Sequence, residues 1–126
     1  MFRANTNKSP DEILHEEFLQ ERAAVLGRAG DSMSKALEKM CNIEEKIEEC
    51  LDRLGEMKAQ ILQNGSYRQM ILEINREINK YNRAREHALL RYYYLIVTRE
   101  AMGMRRHHWV EQQYSVPPKK RYLQDL

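Results

Sequence analysis

Three prolines and five glycines are all that interrupt 126 residues. So little punctuation belongs to long helices rather than to a turn-rich chain. Cysteine is just as scarce. Cys41 and Cys50 stand nine residues apart on one predicted helix, which separates them by roughly 13 Å at 1.5 Å per residue. A disulfide needs Cα atoms within about 7 Å, so the pair cannot bridge within a straight helix, and a reduced, cytoplasmic protein is expected. No apolar core follows Met1-Phe2-Arg3-Ala4-Asn5 to make a secretory signal. The most apolar run, Ala88 to Val97, is about half a membrane span and carries Arg91, so it reads as a buried helix and no membrane association is expected. Also missing are a glycine-rich phosphate loop, a nucleophile elbow, any repeat of 20–50 residues, and a histidine near either cysteine. Catalysis is not expected, and no cofactor is implied.

What the chain does have is periodicity. Met33, Met40, Ile47, Leu54 and Ile61 recur every seven residues, and Ala36, Ile43, Cys50 and Met57 follow three residues later. This is an a/d heptad seam, which predicts a long helix packed against a partner. A second seam follows, with Ile71, Ile78, Arg85, Tyr92 and Arg99 at a and Ile74, Tyr81, Ala88, Leu95 and Met102 at d. Charge is unevenly spread: residues 1–63 carry 9 Lys+Arg against 13 Asp+Glu, and residues 64–126 carry 12 against 6. Two halves of opposite sign attract one another, or else the second half offers a basic surface to an anionic partner.

Element boundaries follow from local chemistry. Residues 1–8 are polar and read as a flexible N-terminus. Ser9-Pro10-Asp11-Glu12 suits a helix start, with Ser9 at the N-cap, Pro10 at N1 and Glu12 closing a capping box. Gly27 and Gly30, followed by Asp31 and Ser32, predict a turn or sharp bend at 27–31. Asn64-Gly65 is the clearest breaker, and a connection this short makes its flanking helices antiparallel neighbours. Helices are therefore expected at about 10–27, 32–63, 66–103 and 105–113, forming one domain over 9–114 with an extended basic tail at 115–126. Folding about residues 64–65 places Arg85 opposite Glu44, and a desolvated arginine requires such a partner. The first helix is expected to return beside the open end of the hairpin and cover it with Phe18, Val25 and Leu26.

Two surfaces stand out as candidates. Arg91, Arg99, Arg105, Arg106, His107, His108 and Trp109 cluster near one end, with Lys119, Lys120 and Arg121 beyond them. They complement a helix C-terminus, or they bind an anion, an acidic partner or nucleic acid. Leu37, Leu51, Leu90, Tyr93, Tyr94 and Val97 widen the apolar stripe past a two-helix seam, which makes them a candidate face for a dimer or another partner. Glu12 and His15 have the Glu-x-x-His spacing of a helical metal ligand pair, but no second copy exists, so no metal site is assigned.

The expected fold is all-α: a short N-terminal helix, a long antiparallel hairpin with coiled-coil-like packing, a short C-terminal helix and an extended tail, assembled as a dimeric bundle. The expected function is a non-enzymatic protein-protein interaction module, an adaptor, assembly factor or chaperone, acting as a homodimer with an unknown protein partner. The alternatives are a nucleic-acid-associated protein using the basic C-terminal end and, behind it, a metal-binding or small-molecule enzyme. The shape resembles helical-hairpin secretion and flagellar export chaperones. That likeness is architectural, rests on no motif, and implies no site residues.

Overall fold

A computed structural model describes residues 7–58 and 65–124 of the chain. Its elements are α1 (Pro10–Lys58), α2 (Gly65–Ala101) and α3 (His108–Gln113). Ile61 and the Asn64 breaker, with the expected last turn of the helix preceding them, lie outside the described residues; Gly65 opens α2.

The start of α1 follows the sequence. Ser9 N–H donates to Glu12 Oε1 at 3.1 Å and Glu12 N–H donates to Ser9 Oγ at 3.2 Å, which closes the capping box. The bend expected at 27–31 is absent, because α1 runs unbroken for 49 residues. Gly27 and Gly30 each cost about 1 kcal/mol relative to Ala in a helix interior, but tertiary contacts override them. Ala29 and Leu26 pack against the core one and two turns before Met33, so the seam continues through the glycines. Gly30 itself lies under Tyr114, whose hydroxyl would stand 3.3 Å from an added Cβ.

The arms are antiparallel. Arg22 donates to the Met102 carbonyl near one end, and Lys46 pairs with Glu77 at 3.5 Å toward the other. The predicted seams form the core: Met33, Ala36, Met40, Ile47, Cys50 and Leu54 on α1 meet Ile71, Ile74, Ile78, Tyr81, Ala88 and Leu95 on α2. Ile43, Arg85, Tyr92, Arg99 and Met102 are only half-buried. Cys50 is buried, Cys41 is exposed, and neither is bonded to the other.

At 1.5 Å per residue α1 is about 73 Å long and α2 about 55 Å. Being continuous, α1 does not fold back over the hairpin, and its first turns extend past the end of α2. The expectation that Phe18 and Val25 cover the open end is therefore corrected: both are exposed. The cover comes from downstream. Gly103, with φ +87°, ends α2; Met104 N–H bonds to Arg99 O at 2.9 Å and Gly103 N–H to Glu100 O at 3.0 Å, the Schellman arrangement that satisfies terminal carbonyls. The chain then turns into α3, buries Val110 in the core, and continues past Tyr114 as an extended strap over residues 115–124 with Val116 and Leu123 against the core.

Candidate interaction surfaces

Two grooves flank the line where α1 meets α2, and they differ completely. The strap fills one of them. Asn75, Asn79 and Asn82 lie at i, i+4 and i+7 on α2, so they share one face along this groove. Asn82 Nδ2 donates to Lys120 O at 3.0 Å while Lys120 N–H donates to Asn82 Oδ1 at 2.9 Å. Asn75 repeats the arrangement on Leu123, at 3.1 and 2.7 Å. A carboxamide carries its donor and acceptor in one plane, which matches the N–H and C=O of a single extended residue. The spacing also fits: three strap residues at about 3.3 Å span roughly 10 Å, and seven helical residues at 1.5 Å span about the same. Val116-Pro117-Pro118 holds the segment extended, since proline excludes helix from the residue before it.

Side chains fasten the strap further. Arg85 Nε donates to Pro117 O at 2.8 Å. Lys120 Nζ pairs with Glu44 at 2.8 Å and lies 4.8 Å from the centre of the Tyr81 ring. Burial pushes the Tyr81 phenol above its ordinary value, with the nearby Glu44 charge acting in the same direction. The Arg85–Glu44 pair expected from the hairpin register is thus corrected. The strap runs between the two, so Glu44 takes Lys120 while Arg85 takes a strap carbonyl and Glu86. Through residue 124 the tail is extended, as expected, and it is bound to the hairpin.

The structure separates the predicted cationic cluster. Arg99 Nε donates to His107 Nδ1 at 3.3 Å, its Nη2 donates to Arg106 O at 2.8 Å, and His107 Nε2 lies 3.2 Å from Glu100 Oε2. Accepting at Nδ1 leaves the ring proton on Nε2, where it reaches Glu100. These contacts close the turn after α2 and leave Arg99 and His107 committed to it. Arg105, Arg106, His108 and Trp109 are exposed, Trp109 by 62%. Arg91 belongs to the other groove, beside His87 at 3.4 Å.

That other groove is open, with a volume of about 910 Å³. Lys35, Lys39 and Lys46 edge it on α1, and Lys80, Arg83 and Arg91 on α2; Ala36, Ile43 and Ala84 lie between them. Among the described residues, Glu77 is the one carboxylate lining it. Burial alone would raise its pKa, but the hydrogen bond and charge of Lys80, joined by the charge of Lys46, outweigh that and hold it below the ordinary range. Among the described residues, Lys35, Lys39 and Arg83 have no carboxylate partner.

Two apolar surfaces remain uncovered. On the α1 overhang, Leu14 is 65% exposed and Phe18 54%, with Leu19 and Val25 also exposed. On the back of α2, Leu89, Leu90, Tyr93, Tyr94 and Val97 form a second band, with Tyr93 60% exposed. The expectation that the 88–97 stretch is enclosed is not met within one chain. Of the candidate partner face, Leu90, Tyr93, Tyr94 and Val97 come together there. Leu37 packs against the core instead, and Leu51 lies far along α1. Glu12 is held in the capping box, and no metal-sized group of three ligands occurs among the described residues.

Sequence reasoning missed both grooves. The asparagine triplet at i, i+4 and i+7 signals the first. For the second, the signal is a basic stripe on each arm, Lys35-Lys39-Lys46 and Lys80-Arg83-Arg91, brought side by side by the hairpin. No protein-family model matches the sequence, and no curated protein or solved structure is significantly similar to it.

Proposed function

We propose that this chain is a non-enzymatic helical interaction module, adaptor, assembly factor or chaperone-like, that self-associates and presents a protein-binding face. The apolar band of Leu89, Leu90, Tyr93, Tyr94 and Val97 carries this reading. Contiguous apolar surface on a small helical domain marks an interaction site, and tyrosine is a residue type enriched at interface centres. The two unpaired cysteines fit a reducing compartment, and no described helix is long and apolar enough to cross a membrane.

The test is a photo-crosslinking residue placed at Tyr94 and, as control, at the exposed Glu49 on α1, in the native host. A discrete protein adduct is expected at Tyr94 alone, and it should vanish when Tyr93→Asp and Val97→Asp are added. Identical adduct patterns at the two sites would refute the reading. Exposed Arg105, Arg106, Lys119 and Arg121 favour a second reading, association with nucleic acid through the C-terminal end. Binding to single-stranded DNA that weakens steeply with salt would support it, and a flat salt response would remove it.

A further inference from the structure

We propose that the acidic overhang of one copy seats in the cationic groove of a second, reciprocally, to give a two-fold dimer. This inference deepens the self-association named above and rests on it.

Both surfaces lie on one stripe of α1. Asp11, Leu14, Phe18, Glu21 and Val25 share a face with Ser32, Lys35, Lys39 and Lys46 through steps of three, four and seven residues. The N-terminal half of the stripe is acidic and apolar, and the following half is the basic wall of the open groove. Because α1 is continuous, the first half cannot fold onto the second within one chain. Two antiparallel copies bring unlike halves together twice.

Length and charge both agree. The stripe from 11 to 25 and the wall from 32 to 46 each span fourteen residue steps, about 21 Å at 1.5 Å per residue. Between Pro10 and Val25 stand five carboxylates and one arginine, and the groove is lined by six cations and one carboxylate. Asp11, Glu17 and Glu21 have no cationic partner among the described residues, which mirrors Lys35, Lys39 and Arg83. In an antiparallel register with Leu14 facing the half-buried Ile43, Asp11 falls beside Lys46, and Glu21 falls near Lys35. Seating the first turns of α1 against a neighbour gives them tertiary packing, from which helices draw most of their stability. The seated overhang completes a three-helix cross-section at each end of the dimer and removes Leu14 and Phe18 from water.

Charge exchange on the full chain tests this by analytical ultracentrifugation and circular dichroism. One variant reverses the overhang (Asp11→Lys, Glu17→Lys, Glu21→Lys), and the other reverses the groove (Lys35→Glu, Lys39→Glu, Arg83→Glu). The wild type is expected to sediment at twice its 15.1 kDa. Each variant alone should be monomeric, with a dissociation constant raised at least tenfold, and the 1:1 mixture should regain the dimer because one interface then pairs the two reversed surfaces and the other the two unchanged ones. Three results would overturn the proposal: a monomeric wild type, two variants that dimerise unaided, or a mixture that stays monomeric. The second of these would move self-association to another face and leave the interaction-module reading intact.

Discussion

Replacing Asn82 by alanine removes the two hydrogen bonds that hold Lys120 N–H and C=O to α2, at 2.9 and 3.0 Å. Each such bond contributes about 1 kcal/mol net, so the local clamp loses about 2 kcal/mol. When the strap lifts, its freed groups regain water, which confines the effect to strap opening and spares the hairpin. A factor of ten corresponds to about 1.4 kcal/mol; amide exchange at Leu123, whose N–H stays bonded to Asn75 Oδ1 at 2.7 Å, should therefore accelerate about 30-fold as the strap opens, while amides of buried seam residues such as Ile74 keep their protection. Native-state hydrogen exchange resolved by residue is the assay. Asn79→Ala is the internal control, since among the described residues Asn79 accepts only from the Tyr122 hydroxyl, at 3.1 Å; it should change Leu123 exchange by less than about threefold, as one exposed hydrogen bond predicts. Unprotected exchange at Leu123 in the wild type, or equal acceleration in both variants, would refute the clamp.

Other outcomes follow from helix interiors and charge. Gly27→Ala and Gly55→Ala have nothing within 4 Å of the added Cβ, so each should raise stability in urea unfolding by about 0.5–1 kcal/mol. Gly30→Ala should gain less than either, because Tyr114 must shift to admit the new methyl group. Glu77 has its folded pKa lowered, so its contribution is present above the unfolded carboxylate value and is lost as pH falls through the lowered one. The stability gap between wild type and Glu77→Gln should therefore shrink on acidification from about pH 7 to about pH 3. A gap that widens would contradict the assignment of Lys80 and Lys46 as its stabilising partners.

The hairpin was legible because periodicity is local and repeated: Met33, Met40, Ile47, Ile74, Tyr81 and Leu95 are all buried where the heptads place them. The end of α2 was legible at Gly103, whose positive φ is a backbone requirement visible as a residue type. The continuity of α1 was not, because Gly30 answers to a hydroxyl 84 residues further along the chain, and no local rule contains Tyr114. Arg85 was recognised as needing a partner, but the register supplied Glu44 where the strap brings the Pro117 carbonyl and leaves Glu44 to Lys120. Nor did charge density in the sequence show which of the clustered arginines and histidines were already engaged. Arg99 and His107 spend their donors on closing a turn, and Arg91 faces a different groove altogether.

Lys120 touches Glu44 on one arm while its backbone is gripped by Asn82 on the other. Its seat therefore does not exist until the two arms have zipped together. Docking of the last described residues is conditional on that earlier event, and loop-closure entropy delays contacts so distant along the chain. Folding should accordingly proceed in two ordered stages, with the C-terminal segment latching over a closed pair and reporting, by its protection, that closure is complete.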